Sequence, residues 1–359
     1  MGILYKKNSL QILTLLVFLL IVINGSASAK SSPSVLYVDT EGNGNYTTIQ
    51  DAVNNATSGD TIIVYPGTYT ENVNVNVSNL SILSYSGNPE DTTVKYLGVL
   101  SHNFKISARD VTISGFNIAG SYPTGIYMSG VSGVNINGNR FSGNGCSVQM
   151  QGSSRCRLLN NTVTNSADKG FYIQTSSNCT LAGNTVSNTS SYGIYLLSSG
   201  NCTLDGNTIS NVSGNGVYLY NSGNCNFTGN TVSNITGNTY VSTYDSGRGI
   251  HLYNSGSCTL AGNTVSDTDH YGIHLDSSSN CILTANAISD TYYEGICVYQ
   301  SNGSTLDSNT ISNATDGIYL YYSGGCNLAG NRILDTYDDG IYMYESDSCT
   351  RSGNQIIRQ

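Results

Sequence analysis

Residues 193–215 read GIYLLSSGNCTLDGNTISNVSGN, and residues 216–238 repeat them as GVYLYNSGNCNFTGNTVSNITGN. The step is 23 residues. Cys179, Cys202 and Cys225 keep it, as do Asn184, Asn207 and Asn230, and later Cys258 and Cys281, Gly249 and Gly272, Gly317 and Gly340. A fixed period of this size means a stack of like units, none able to bury its apolar face alone. Within a unit the apolar residues alternate over short runs: Ile194 and Leu196, Cys202 and Leu204, then Ile209. Gly, Asn and Ser break these runs every few residues. That is strand periodicity, and no helical i, i+3, i+4 pattern competes with it. Three short strands per unit describe one coil of a β-solenoid, rising about 4.8 Å, the spacing of paired strands. About eleven regular coils run from Val111 to Cys349, a shaft longer than roughly 50 Å on that rise.

Stacking turns columns of sequence into ladders. The cysteine column (Cys156, Cys179, Cys202, Cys225, Cys258, Cys281, Cys326, Cys349) alternates inward with Leu, and its slot is held by Val111 and Val134 earlier and by Ser304 later. A slot shared by Val, Ser and Cys is small and buried, so these thiols are expected to be reduced core residues rather than disulfides. The asparagine column (Asn139, Asn161, Asn184 and onward to Asn354) follows a glycine in most coils and is expected to form a buried amide ladder at a turn.

Residues 1–29 stand outside the repeat. Lys6 and Lys7 precede an apolar run from Ile12 to Ile23, and Ala27-Ser28-Ala29 offers a cleavage site, the pattern of an export signal. No second apolar run follows, so no membrane span is expected in the mature chain. N-x-S/T triplets recur, among them Asn188, Asn201, Asn211 and Asn234, as in a surface glycoprotein. A formal net charge of −9 argues against nucleic acid and anionic membrane as partners. Residues 30–110 form a cap and irregular first coils, and residues 111–359 form the regular repeats. In the cap, Thr48 is placed to start a short helix over Ile49–Ala56, with Asp51 at its third position. Such a helix would cover the open first coil. The segment from Asp60 to Tyr65 reads as the first strand. The chain stops at Arg358-Gln359 without a polar cap, so end-to-end association through the last coil is an expectation.

The opening Asp39…Gly42…Gly44…Tyr46-Thr47-Thr48-Ile49-Gln50-Asp51-Ala52, followed by GDTIIVYPGTYTE, resembles the start of the pectate-lyase and pectin-esterase superfamily. The later GIYL…NCTLAGNTVSN coils resemble the repeats of the NosD-like, carbohydrate-binding and sugar-hydrolase group, numerous among archaeal surface proteins. The resemblance spans nearly all of residues 35–359. It implies an all-β, single-stranded, right-handed parallel β-helix with a short N-terminal capping helix. It leaves the activity open, because that superfamily holds lyases, hydrolases, epimerases, adhesins and a copper-handling accessory protein.

Chemistry is expected on the outward columns. The second residue after each strand-opening glycine faces outward, giving Tyr195, Tyr218, His251, His274, Cys297, Tyr319 and Tyr342. Two residues further on stand Tyr220, Tyr253 and Tyr321. With Tyr240, Tyr244 and Arg248 from a coil about ten residues longer than its neighbours, these form a candidate polysaccharide platform, since tyrosine offers an apolar face and a hydroxyl. His251, His274 and Cys297 interrupt the tyrosines with soft metal ligands, a candidate copper or zinc site. Acids gather before the glycine in late coils, and Asp267, Asp269, Asp290 and Glu294 are candidate calcium ligands. Ala314-Thr315-Asp316-Gly317 and Tyr337-Asp338-Asp339-Gly340 resemble the N-T-D-G and D-D motifs of polygalacturonase-type glycosidases, although Ala314 stands where that motif has Asn and no Gly-His-Gly or Arg-Ile-Lys run follows. The resemblance makes Asp316, Asp338 and Asp339 the candidate catalytic acids. Together these features point to an exported surface protein with a structural or carbohydrate-interacting role that needs no cofactor. Its partners are expected to be cell-surface polysaccharide or other surface proteins. The alternatives are a polysaccharide hydrolase, lyase or epimerase, and a NosD-like copper-handling factor.

Overall fold

The computed structural model describes residues 32–98, 101–120, 122–237 and 246–358. The segment expected to be an export signal and the candidate platform residues Tyr240 and Tyr244 lie outside them. From Val35 onward the chain winds as a parallel β-solenoid with three sheets of 14, 13 and 12 strands, every pairing parallel and in register. One coil shows the plan. Ile194–Leu197 lies in the 12-stranded sheet, Thr203–Asp205 in the 14-stranded sheet and Thr208–Val212 in the 13-stranded sheet. Thirteen steps at about 4.8 Å give a shaft of roughly 60 Å.

The inward residues stack like on like. Leu181, Leu204, Phe227, Leu260, Leu283, Leu306 and Leu328 pair in sequence down the 14-stranded sheet, and all are fully buried. Burying one such side chain contributes about 1.5–3 kcal/mol, so a column of them offsets the entropy of ordering each coil. The strand-opening glycine is fixed by close approach rather than by dihedral angle. A Cβ on Gly193 would lie 2.5 Å from the Gly216 carbonyl oxygen and 2.5 Å from Ile209 Cγ2.

Three polar ladders satisfy the turns. Asn184 Nδ2 donates to Asn207 Oδ1 at 2.9 Å, the Asn184 backbone N–H donates to the same oxygen at 3.1 Å, and the pattern repeats from Asn139 to Asn354. A serine ladder, absent from the sequence-based expectations, runs beside it. The backbone N–H of Ser199 donates to Ser222 Oγ at 2.9 Å, and Ser222 N–H donates to Ser255 Oγ at 2.9 Å. The cysteines form the third. All are free thiols, and all but half-buried Cys349 are buried. Cys225 Sγ accepts the Cys202 N–H at 3.4 Å and donates to the Ser222 carbonyl at 3.3 Å. Ser304 fills the same slot with its hydroxyl, accepting the Cys281 N–H at 3.2 Å. The column is therefore a hydrogen-bonding device as well as a core filler.

At the N-terminal end the helix is Ile49–Asn55, its Thr48 hydroxyl accepting the Asp51 N–H at 3.1 Å. Ile49, Ala52 and Val53 are fully buried in the core. The first two helical N–H groups are taken by Glu71: its carboxylate accepts from Ile49 at 2.9 Å and from Gln50 at 2.8 Å. The first strand is Val35–Val38, paired with Thr61–Val64, so the strand beginning at Thr61 is the second in chain order. No helix among the described residues is long and apolar enough to cross a membrane. The last strand, Gln355–Ile357, is exposed.

Candidate functional site

The 12-stranded sheet carries the outward tyrosines, and its pleat brings them into two stacks. In the first, ring centroids are 5.2 Å apart between Tyr172 and Tyr195, 5.1 Å to Tyr218, 4.9 Å to His251 and 4.8 Å to His274. After Cys297 the stack resumes with Tyr319 and Tyr342 at 5.2 Å. In the second, Tyr220 and Tyr253 stack at 5.2 Å, Asp276 interrupts, and Tyr299, Tyr321 and Tyr344 continue at 5.5 and 5.1 Å. Ring faces are thus spent on one another. What the sheet presents to solvent is a rim of ring edges and hydroxyls, so the expected sugar-stacking face is available only where a column is broken.

His251, His274 and Cys297 keep the predicted register but are not exposed: they are 2%, 5% and 3% accessible. The row immediately before each glycine covers this column. Its members are stacked through backbone bonds from the next glycine: Gly216 N–H to the Arg248 carbonyl, Gly249 to Tyr271, Gly272 to Glu294, Gly295 to Asp316 and Gly317 to Asp339. The Tyr271 ring lies 4.7 Å from that of His274, and the Arg248 guanidinium lies 5.6 Å over Tyr271. Burial, aided by the Arg248 charge, pushes both histidine pKa values well below the usual range, so both rings are neutral. Neither ring nitrogen of His251, nor Nδ1 of His274, has a hydrogen-bond partner among the described residues.

This geometry does not favour a shared metal. The two imidazoles are nearly parallel, 15° apart in plane, which sets like nitrogens about as far apart as the 4.8 Å centroids. Two nitrogens on one tetrahedral zinc, with bonds of about 2.0–2.1 Å, lie roughly 3.4 Å from each other. Among the described residues no group of three or more His, Cys, Asp or Glu side chains is arranged to hold an ion.

The acids of the late coils also divide. Asp267 and Asp290 belong to a column with Asn188, Asn211, Asn234, Asn313 and Asp335, all at φ between 49° and 55°. That left-handed turn position favours Asn and Asp for backbone reasons. Asp290 Oδ1 accepts from Asn313 Nδ2 at 3.0 Å, and Asp269 Oδ2 accepts the Gly237 N–H at 3.1 Å. Glu294 stands in the row over the tyrosine sheet instead, so the four candidate calcium ligands do not form one set. Burial, with Asp316 nearby, raises the Glu294 pKa to about 7.

Asp316, Asp338 and Asp339 do come together. With Tyr319, Tyr342 and Arg358 they line a depression of about 540 Å³. Asp316 is 8% accessible and its carboxylate accepts the Asp339 N–H at 2.7 Å. Burial raises the Asp316 pKa; the Asp339 N–H opposes that shift, and the Asp338 and Asp339 charges add to it. Arg358 lies 3.6 Å from Asp339. A second depression, of about 510 Å³, opens where both tyrosine columns are interrupted and shares Tyr319 with the first.

A model of the right-handed β-helix region matches residues 98–247 and 248–359. Over 133 residues the chain is 38% identical to a cell surface glycoprotein of Methanothermus fervidus, a match covering 35% of this chain and 20% of that protein. The chain thus spans about a fifth of the length of that relative. Among solved structures it resembles the A-module of the mannuronan C-5 epimerase AlgE6 of Azotobacter vinelandii (TM-score 0.64, 15% identity, 86% of this chain and 93% of that one). It also resembles PfbA, a surface adhesin of Streptococcus pneumoniae (TM-score 0.65, 15% identity, 82% and 87%). A third is the catalytic domain of a GH87 α-1,3-glucanase in complex with nigerose (TM-score 0.59, 16% identity, 82% and 64%). At these identities the likeness is one of fold.

Proposed function

The chain belongs to the right-handed β-helix family, and from that premise we propose that it is an exported surface shaft that binds polysaccharide along its tyrosine sheet without turning it over. The observation that carries this reading is the pair of tyrosine columns, whose interlocked rings hold a row of hydroxyls at coil spacing along one face. A rigid, preorganised row of donors and acceptors matches an extended glycan at little ordering cost. The partial match to a cell surface glycoprotein supports the location. The test is affinity for a panel of acidic and neutral polysaccharides, using a Tyr195→Phe, Tyr218→Phe, Tyr319→Phe, Tyr342→Phe variant. That variant keeps the ring stacks and removes the hydroxyls. Weaker binding by the variant is expected, and no binding by the wild type across the panel would end the proposal.

A second reading rests on the convergence of Asp316, Asp338 and Asp339. A buried carboxyl with a raised pKa beside an ionised one is the arrangement by which glycosidases protonate a leaving oxygen and activate water or attack directly. In that reading Asp316 is the acid and Asp338 or Asp339 the second carboxyl group. Release of new reducing ends from a glycan, abolished by Asp316→Asn, is the result it requires. The copper-handling alternative finds no support in the stacked, buried histidines.

A further inference from the structure

We infer that the depression at Asp276 and Cys297, where both tyrosine columns are broken, seats one neutral hexopyranose residue of a bound glycan. The inference rests on the glycan-binding reading and adds to it a place and a sugar class.

The two interruptions fall on adjacent coils. Asp276 sits between Tyr253 and Tyr299 in one column, and Cys297 between His274 and Tyr319 in the other. Along most of this sheet a column tyrosine has another ring on its face, and Gln149 makes one further break in the first column, between Tyr127 and Tyr172. Here Tyr299 stacks only on Tyr321, so its side toward Asp276 has no ring against it, and Tyr319 packs against Tyr321 and Tyr342, with buried Cys297 and Tyr271 on its other side forming the wall of the notch. A pyranose presents a face of C–H groups of about the thickness of the missing side chain. Seated there it continues the stack, its ring taking the place that an aromatic residue holds in other coils.

The polar groups around the notch suit hydroxyls. The Asp276 carboxylate is a strong acceptor for sugar O–H groups. Arg248 lines the same depression, and His274 brings a buried Nδ1 with no hydrogen-bond partner among the described residues. The volume of about 510 Å³ falls within the range of small-ligand sites and exceeds one sugar ring, leaving room for the linkages on either side. The charge around it selects against uronates. Asp276 lines the notch, while Arg248, at 5% accessibility, is largely withdrawn from solvent. A carboxylated sugar would meet like charge at its rim.

Completing a broken column should close the site without disturbing the coil. Cys297→Tyr restores the first column and Asp276→Tyr the second. Tyr192, which lies against Tyr218 at 5.4 Å, already shows how a covering tyrosine accommodates a ladder tyrosine one coil on, as Tyr271 would in Cys297→Tyr. Calorimetric titration of the full chain with cellohexaose, mannohexaose and tetragalacturonate tests the idea, with thermal unfolding as the check on folding. At least one neutral oligosaccharide should bind tenfold or more tighter than the uronate. Each variant should lose at least tenfold in that affinity while melting near the wild type. If a variant fails to fold, Asp276→Asn, which keeps the shape and removes the charge, should still lose severalfold. Unchanged neutral binding in these variants overturns the notch while leaving the tyrosine-sheet reading intact. A preference for the uronate overturns the sugar class, and no binding to any of the three overturns both.

Discussion

Replacing Asn207 by alanine is expected to cost more than any polar-to-alanine change at the surface of the shaft, and the hydrogen bonds give the size. Asn207 Oδ1 accepts from the Asn184 N–H at 3.1 Å and from Asn184 Nδ2 at 2.9 Å. Its own Nδ2 donates to the Leu181 carbonyl at 2.8 Å and to Asn230 Oδ1 at 2.9 Å. Two of the four partners keep a second bond after truncation: Asn184 Nδ2 still reaches the Leu158 carbonyl, and Asn230 Oδ1 still accepts the Asn207 N–H. The Asn184 N–H loses its acceptor, whereas the Leu181 carbonyl, in a strand paired on both sides, loses one additional bond. Asn184 is buried, and a buried group left without a partner costs about 1–3 kcal/mol; with about 1 kcal/mol for the net bond lost at Leu181, the loss should be about 2–4 kcal/mol. Asn354 makes three of these four bonds, but it is only half-buried and water can replace it. Asn354→Ala should therefore cost about 1 kcal/mol, the net worth of an ordinary hydrogen bond. Urea unfolding followed by far-ultraviolet circular dichroism and by tyrosine fluorescence measures both, and agreement of the two probes tests whether one transition is being measured. Stabilities of the two variants within about 0.5 kcal/mol of each other, small against the cost of one buried orphan group, would refute the ladder argument.

Other consequences are as direct. Gly216→Ala places a Cβ 2.4 Å from Val232 Cγ1 and 2.7 Å from the Gly249 carbonyl oxygen, so overpacking should destabilise the coil by about 1–3 kcal/mol, read as a lower unfolding midpoint. The cysteine column should resist a thiol reagent in the native protein and react fully in denaturant; few reactive thiols in denaturant would mean disulfides instead. Stability should also fall as pH drops. The histidines at 251, 270 and 274 have folded pKa values below the unfolded value near 6.5, with His270 lowered to about 4. Below pH about 6.5 the unfolded chain takes up protons that the folded rings refuse, so their stabilising contribution is full above that pH and lost as it falls. Glu294 acts in the opposite sense. Its folded pKa of about 7 lies above the unfolded value, so its contribution is full at low pH and is lost as pH rises through 7. Differential scanning calorimetry from pH 4 to 8 on the wild type and on His274→Phe separates the two effects: the phenylalanine variant should lose part of the acid-side slope.

The fold was legible because its determinants repeat. Glycine before each outward strand, asparagine at the tight turn and cysteine or serine at the next corner each mark a place where only a few side chains fit the backbone, and stacking multiplies the signal. The serine ladder carried the same mark, since Ser199, Ser222, Ser255 and Ser278 each stand three residues before a column cysteine. The site was less legible for two physical reasons. Alternation tells on which side of a strand His251 and His274 emerge, but not that Arg248 and Tyr271 from the preceding row cover them. Sequence distance does not separate a left-handed turn residue such as Asp290 from Glu294, four positions later, which stands in the row over the tyrosine sheet. The interchange of Asn211 and Asn234 with Asp267 and Asp290 at 23-residue spacing or its longer variant was the available clue: a position that accepts either is chosen for its backbone. Asp316 and Asp339, one coil apart and immediately before their glycines, were placed together by the period alone.

One experiment bears most directly on the tyrosine sheet as a polysaccharide-binding face. The full chain is incubated with a panel of acidic and neutral polysaccharides, in calcium and in EDTA, and both bound glycan and new chain ends are measured. Binding without new reducing ends or unsaturated products, and weakened in the four-site Tyr→Phe variant, is the predicted result. Turnover that disappears in Asp316→Asn would contradict it and make the carboxylates at the end of the groove the reason the tyrosines are there.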